Sequence, residues 1–327
     1  MASAVGNRAM PGVDHPFSVE VSASPFDDIV AVSDFLLDSV RYQSVRGLVP
    51  PGSKIIVPWN HGWTGVRSHS ISVLQQLLFM NSNKSGGSVG AVRSQGNWVP
   101  TASMGVDQPW HGAGPRRGDL LNYLPSLEWR YQYYSGLQKY APTLPIVPAT
   151  RSGENIPVAQ LNLQYPGIFK GMIWMSPVHP SVGTVEGLRG YHHFNVTTEN
   201  QLYPDAFRWA SGFMQEMRDR PESWVNSEHP FGNPPIPTLI LSGSEDVESS
   251  PATKAMWREY ARRFPERVFL VEIPGAGHNV FEIVSVADKE RSIQAWSYVY
   301  WFLNQHILGN EAKLPPYRFL YEPAGRI

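Results

Sequence analysis

The sequence lacks several features that mark particular classes of protein. None of its 327 residues is cysteine, which excludes disulfide bonds. No run reaches the about 18 to 20 apolar residues that a membrane span requires, and the amino terminus, MASAVGNRAMPGVDHP, has no apolar segment typical of a secretory signal. Neither sign of charge dominates, since 27 basic and 28 acidic residues give a formal net charge of -1. These absences predict a cytoplasmic protein without nucleic-acid or membrane partners.

Apolar residues are plentiful, and they recur as short runs bounded by Gly, Pro, Asn or Ser. Hydrophobic residues make up 42% of the chain, enough for one large core or two modest ones. The runs are nearly continuous rather than alternating, which is typical of strands covered on both faces. They are KIIVPW (54–59), ASMGVDQP (102–109), LPIVPA (144–149), GMIWMSP (171–177), TLILSG (238–243) and VFLVEI (268–273).

Helix-like stretches alternate with these runs. They are SISVLQQLLFM (70–80), LEWRYQYYSGLQKY (127–140), IPVAQLNLQYP (156–166), ATKAMWREYARRF (252–264) and SIQAWSYVYWFLNQHI (292–307). The alternation predicts an α/β fold, with a mostly parallel, doubly wound sheet between two layers of helices. Near the amino terminus, FSVEVSA (17–23) and VRYQSV (40–45) predict additional antiparallel edge strands.

One connection is far longer than the others and predicts an inserted helical cap at residues 178–236. The core would then comprise residues 1–177 and 237–327. Within the insertion, Trp209, Phe213 and Met217 recur four residues apart and form one apolar helical stripe. Ligands bind beyond the carboxyl ends of parallel strands, where this insertion leaves the sheet, so we expect the stripe to line a substrate pocket. The alternatives are a separate small domain, or a cap that packs away from the opening.

A candidate nucleophile follows the third apolar run. In a G-x-S-x-G elbow, a serine stands at the apex of a sharp strand-to-helix turn, and the flanking glycines let strand and helix approach. Here the window is Thr150-Arg151-Ser152-Gly153-Glu154, so both outer glycines are replaced. Glu154 is expected to point outward, where Arg151 lies three residues earlier at helical pairing distance.

The surroundings of Ser152 resemble the alpha/beta hydrolases of the lipase, esterase and haloalkane dehalogenase superfamily. An apolar strand precedes the turn, and VAQLNLQYPGIFKGMIWMSP after it resembles the helix, Tyr-Pro and next strand of that family. Counting back from Tyr165 by the spacing usual in the family leads to Ser152. The resemblance covers roughly residues 50 to 305 and implies an alpha/beta hydrolase fold with an inserted cap.

The same resemblance supplies partners for the serine. PTLILSGSEDVESSP resembles the strand and acid-bearing loop of the family, which implies that Asp246 is the acid. VFLVEIPGAGHNVFEI resembles the terminal strand and histidine loop, which implies that His278 is the base. The order Ser, Asp, His along the chain is that of alpha/beta hydrolases. Alternatively, Asp246 caps the helix that begins near Pro251, and Glu245 or Glu248 is the acid.

Two backbone amides would form the oxyanion hole. Gly153 follows the nucleophile and fills the first place. NHGWTG (60–65) resembles the His-Gly-x-x-Gly loop of the family, which implies that Trp63 donates the second amide. The alternative is a glycine-rich turn with Trp63 in the core.

The resulting expectation is a serine hydrolase that cleaves an ester or lactone of a small, apolar or aromatic substrate. Amide, thioester and carbon-carbon cleavage stay open on the same residues. A ligand-binding or signalling homologue with little turnover is the alternative from another class, and the altered elbow supports it. The mechanism needs no cofactor, and the other histidines show no spacing typical of a metal site. The oligomeric state is not predicted.

Overall fold

A computed structural model describes five amino-terminal strands as backbone, and then residues 52–62, 96–105, 123–178, 235–281 and 286–322. The helix expected at residues 70–80 and nearly all of the expected cap at 178–236 lie outside these ranges. Trp63, Trp209, Phe213 and Met217 lie outside them as well.

Among the described residues, the main sheet has nine strands in the order β1-β2-β5-β7-β6-β8-β9-β10-β11, and β3 and β4 form a separate hairpin. The amino-terminal strands are β1 (Ser18–Val21), β2 (Ile29–Ser33), β3 (Phe35–Leu37), β4 (Val40–Tyr42) and β5 (Val45–Leu48). The others are β6 (Ile55–Asn60), β7 (Thr101–Gly105), β8 (Ala149–Arg151), β9 (Met172–Met175), β10 (Thr238–Gly243) and β11 (Val268–Ile273).

Neighbouring strands in the series β7-β6-β8-β9-β10-β11 pair in parallel. At the other side of the sheet, β1, β2 and β5 add antiparallel pairs. The prediction of a mostly parallel α/β sheet is therefore confirmed, and so is the antiparallel edge at β1. The run at 40–45 divides differently, since β4 joins the hairpin and only β5 enters the main sheet.

The predicted strand at 144–149 is mostly absent, and β8 begins only at Ala149. Ile146 makes an isolated bridge to Ile56. Pro145 and Pro148 explain the difference, because proline has no N–H to donate to a neighbouring strand.

Four α-helices lie within the described ranges, and each overlaps a predicted one, although the last begins at residue 286 rather than 292. They are α1 (Tyr123–Tyr140), α2 (Asn155–Gln164), α3 (Pro251–Arg263) and α4 (Val286–Phe302). A π-helical turn, Leu303–Ile307, continues α4. None of the described helices combines the length and apolar character needed to span a membrane.

In the part of the chain that the structure describes, the sheet separates two buried apolar clusters. Trp174 of β9 lies in one of them, where its ring packs edge-on against that of Trp257 of α3. Trp59 of β6 lies in the other and packs edge-on against Trp296 of α4. These four tryptophans fill core space, since all are at most 2% exposed.

The carboxyl ends of β8, β10 and β11 lead to Ser152, Asp246 and His278 respectively. Because these strands run parallel, the three residues lie at the same edge of the sheet. A close approach joins the last two loops at Gly243, where β10 ends. A Cβ atom there would lie 2.2 Å from the carbonyl oxygen of Ala276 and 2.3 Å from that of Gly277.

We therefore expect Gly243→Ala to force apart the two loops at this edge. The added methyl meets backbone atoms that cannot rotate away, so the substitution should lower the free energy of unfolding by about 1 to 3 kcal/mol. Chemical denaturation measures the change. Gly277→Ala is the matched control, because its added Cβ meets no described atom within 4 Å. Equal stability of the two variants would contradict the close approach.

Candidate active site

Ser152 occupies a sharp turn between a buried strand and a helix. The strand β8 ends at Arg151 in extended conformation, and a 3-10 turn, Ser152–Glu154, leads directly into α2. Ser152 has a φ of +51°, in the left-handed region that non-glycine residues rarely adopt. This geometry is that of a nucleophile elbow.

Ser176 is a second buried serine in the same region of backbone space. It follows β9 with a φ of +46°, and its N–H donates to the carbonyl oxygen of Leu241. Unlike Ser152, it does not open a described helix. Positive φ alone therefore does not single out Ser152, but the strand-turn-helix connection does.

The side chain of Glu154 is buried, and the expectation that it points outward beside Arg151 is wrong. Its carboxylate accepts two hydrogen bonds from Arg130 of α1, at 2.7 Å from Nε and 3.0 Å from Nη2. Both side chains are 1% exposed. The remaining Nη1 atom of Arg130 donates to the hydroxyl and carbonyl oxygens of Ser126. A buried ion pair thus occupies the place of the second elbow glycine.

Burial raises the pKa of Glu154, and the charge and hydrogen bonds of Arg130 act to lower it. Arg130 is therefore the group that favours the charged form of this buried carboxylate. Sequence reasoning missed Arg130, although one signal was present. It is the one basic residue within the aromatic segment LEWRYQYY of a predicted helix, and a charge at such a position is rarely buried without a partner.

Gly62, just after β6, lies against the elbow. A Cβ atom on Gly62 would be 3.0 Å from the Cβ of Ser152 and 3.3 Å from the carbonyl oxygen of Arg151. Only glycine lets the two backbones approach so closely. The loop that carries the expected oxyanion amide of Trp63 therefore begins beside Ser152. Gly153, the other expected donor, is buried in the turn itself.

Asp246 and His278 are joined directly. The Nδ1 atom of His278 lies 3.0 Å from each carboxylate oxygen of Asp246. An ionised carboxylate can only accept hydrogen bonds, so Nδ1 carries a proton and donates to Asp246. Ser250 caps α3 by accepting from the N–H of Thr253, so Asp246 does not serve as that cap.

Backbone hydrogen bonds hold the two loops together. The N–H of Ser244 donates to Ile273, and that of Glu245 donates to Ala276. In return, the N–H of Gly275 donates to the hydroxyl of Ser244. These bonds fix the distance between Asp246 and His278, independently of the pair itself.

The pKa of Asp246 is lowered. Burial acts to raise it, but the hydrogen bonds and charge of His278 and the hydrogen bonds of Ser249 lower it by more. The Asp246 side chain is fully buried, whereas that of His278 is 10% exposed. Asp246 therefore stays ionised at neutral pH.

The Nε2 atom of His278 faces a different carboxylate. It lies 3.1 Å from Oε2 of Glu248, whose side chain is 35% exposed. Nε2 has no hydrogen-bond partner among the described residues, so Glu248 approaches it closely without the geometry of a hydrogen bond. It follows that no hydrogen bond joins Nε2 to Ser152 in this structure.

The described part of the chain holds no group of three or more His, Asp or Glu side chains arranged to bind a metal ion. The candidate site thus consists of Ser152, the Asp246–His278 pair and the backbone around the elbow. Such an arrangement can perform nucleophilic acyl transfer once Nε2 reaches the serine hydroxyl.

Comparison with solved structures identifies the fold. The Pyrococcus furiosus esterase Pf2001 matches with a TM-score of 0.56 and 16% identity, over 88% of this chain and 96% of the esterase. An E-2-(acetamidomethylene)succinate hydrolase matches with a TM-score of 0.54 and 14% identity, over 83% of this chain and 98% of that chain. The chain has the alpha/beta hydrolase fold.

A larger alpha/beta hydrolase is similar to this chain over part of its length. The Pyrococcus horikoshii acylaminoacyl peptidase matches with a TM-score of 0.55 and 11% identity, over 88% of this chain but only 43% of the peptidase. No protein-family model matches the sequence, and no curated protein is significantly similar to it. At such low identities the likeness extends to the alpha/beta hydrolase fold alone.

The buried pair under the elbow generates a first prediction for the site. Arg130→Met leaves the Glu154 carboxylate buried without a counter-charge and should destabilise the protein by about 3 to 5 kcal/mol. The double variant Arg130→Met/Glu154→Leu should recover most of that loss, because it removes both charges. Denaturant unfolding of the variants measures these differences.

Arg258→Met is the control for loss of an arginine. Its guanidinium pairs with Glu272, but the two side chains are 47% and 26% exposed, so the cost should be about 0 to 1 kcal/mol. If Arg130→Met cost no more than Arg258→Met, the buried pair would not stabilise the elbow.

The lowered pKa of Asp246 generates a second prediction. Because folding lowers the pKa of Asp246, its ionised carboxylate stabilises the native state at pH values above its ordinary pKa of 3.8. This stabilisation is lost as the pH falls through the lower pKa of the native state. The difference in unfolding free energy between wild type and Asp246→Asn should therefore narrow between about pH 4 and pH 2. Glu245→Gln, which removes an exposed carboxylate from the same loop, is the control for the loss of a negative charge. A difference constant down to pH 2 would contradict the hydrogen bonds assigned to Asp246.

Proposed function

We propose that this protein is a serine hydrolase that cleaves an ester or lactone bond of a small, apolar or aromatic molecule. The observation that carries the proposal is the left-handed backbone of Ser152 between β8 and α2. Such a conformation costs about 1 to 3 kcal/mol, persists only where the surroundings impose it, and gathers at functional sites. The hydrogen-bonded Asp246–His278 pair at the same sheet edge adds support.

In the proposed mechanism the hydroxyl oxygen of Ser152 attacks the carbonyl carbon while Nε2 of His278 takes its proton. Asp246 holds the ring by Nδ1 and stabilises the imidazolium. The N–H groups of Gly153 and Trp63 would stabilise the oxyanion. The bond to the leaving oxygen then breaks and that oxygen takes the proton from Nε2. Water, activated by the same nitrogen, releases the acid from Ser152.

The bond and substrate class are part of the proposal. We propose ester or lactone cleavage first, and the same catalytic groups also allow amide, thioester and carbon-carbon cleavage. The proposed cap at 178–236 would close over the site, with Trp209, Phe213 and Met217 facing an apolar substrate. Fold alone does not choose between these substrates.

A second candidate function is ligand binding or signalling with little turnover. Two observations favour it, since Nε2 of His278 has no hydrogen bond to Ser152, and both outer elbow glycines are replaced. Catalytic hydrogen bonds are often long without substrate and tighten in the complex. A serine-directed reagent separates the two candidates.

We expect a fluorophosphonate to label Ser152, within the tryptic peptide that begins there and ends at Lys170. Ser152→Ala should abolish labelling and lower turnover of a p-nitrophenyl ester by about 10⁴-fold or more, because triad members act as a unit. Ser176→Ala is the matched control, since Ser176 is also buried with positive φ, and it should keep both. Mass spectrometry and steady-state kinetics provide the readouts.

Two results would overturn the proposal. Labelling at Ser176 or at another residue would show that Ser152 is not the nucleophile. Absence of both labelling and ester hydrolysis in the folded wild-type protein would favour the ligand-binding candidate.

A further inference from the structure

The imidazole of His278 lies between two carboxylates with different surroundings. Asp246 contacts Nδ1 with a fully buried side chain, while Glu248 lies 3.1 Å from Nε2 with a side chain that is 35% exposed. The inner carboxylate is part of the core, and the outer one opens to solvent. The proposed triad accounts for the first contact and assigns no role to the second.

The turn that carries Glu248 is fixed by the site itself. Oδ1 of Asp246 accepts hydrogen bonds from the N–H of Glu248 at 2.9 Å and from that of Ser249 at 3.2 Å. Ser250 then begins α3 as its cap. The carboxylate that orients His278 therefore also sets the backbone from which Glu248 reaches Nε2.

The contact leaves hydrogen-bonding capacity on the imidazole. The side chain of His278 is nine-tenths buried, and Nε2 has no hydrogen-bond partner among the described residues. A buried, unpartnered nitrogen facing a partly open carboxylate is suited to a ligand that approaches both groups at once.

We propose that Glu248 is a specificity-determining residue that selects esters whose leaving alcohol carries a positive charge, such as an amino alcohol. The inference rests on the proposed function, in which Nε2 hands its proton to the leaving oxygen. That oxygen must come within hydrogen-bond distance of Nε2, so the atoms attached to it pass beside the Glu248 carboxylate. A cation there is attracted, and an anion is repelled.

The cation also changes the environment of Nε2. When Glu248 pairs with a positive leaving group, its carboxylate is drawn away from the imidazole, and Nε2 can accept from Ser152. A neutral leaving group gives Glu248 no such competing partner. The selection therefore acts on kcat/KM of the acylation step, where the leaving group departs.

The test compares three phenylacetate esters that differ only in the alcohol. The alcohols are choline, its neutral isostere 3,3-dimethylbutanol, and the anionic 3-hydroxypropanoate. Wild type should prefer the choline ester to the neutral one by about tenfold in kcat/KM, and this ratio should fall at high salt. Glu248→Gln should bring the ratio close to one, and Glu248→Lys should turn the preference toward the anionic ester.

Glu245→Gln is the matched control, because it removes an exposed carboxylate from the same loop and should keep the wild-type ratio. A wild-type ratio near one would overturn the inference, and so would a ratio that Glu248→Gln and Glu245→Gln change equally. p-Nitrophenyl phenylacetate and the fluorophosphonate are measured alongside. If both react while the charge preference is absent, only the role of Glu248 fails. If neither reacts, the proposed function fails and this inference fails with it.

Discussion

The carboxylate of Asp246 makes the interaction on which the candidate site depends. It accepts from Nδ1 of His278, which fixes the ring and its tautomer, and from the N–H groups of Glu248 and Ser249, which fix the following turn. Burying a carboxylate costs free energy unless donors replace the lost water. Here the donors outweigh burial, as the lowered pKa indicates. One ionised group thus fixes its own turn after β10 and the ring of His278 after β11, while backbone hydrogen bonds hold the two loops together.

The elbow shows how a sharp turn survives without its outer glycines. Thr150 is fully buried and stays within β8, paired between Asn60 and Trp174. Glu154 turns inward and forms a two-bond ion pair with Arg130, so its side chain is accommodated beneath the turn. Gly62 on the neighbouring loop allows the close approach to Ser152. The turn thus accommodates Glu154 in place of a glycine, because Arg130 pairs with its buried side chain.

The sequence predicted best those features that depend on a short segment of the chain. The strands at 238–243 and 268–273 match their predicted bounds, because their apolar runs are continuous and end at turn residues. The run at 144–149 predicted too long a strand, because Pro145 and Pro148 have no N–H to donate to the neighbouring strands. The turn at Ser152 and the loops of Asp246 and His278 were predicted because three local patterns, in their order along the chain, resemble those of alpha/beta hydrolases.

Long-range partners could not be predicted in this way. The inward position of Glu154 depends on Arg130, 24 residues earlier on another helix, and a pairing at helical distance with Arg151 was the nearest local alternative. Likewise, no local pattern indicates that Glu248 reaches Nε2 while Asp246 reaches Nδ1. Both contacts arise only when the loops and helices pack against the sheet.

The ion pair beneath the elbow has a consequence for how this chain could have diverged. If Glu154 were changed to glycine, the usual residue of such turns, Arg130 would lose its buried counter-charge, and a change that brings the turn nearer to the common pattern would harm the fold. Positions 130 and 154 are therefore coupled, and each constrains what the other can become. A viable substitution of Glu154 would therefore need a compensating substitution of Arg130, which lies on a different helix.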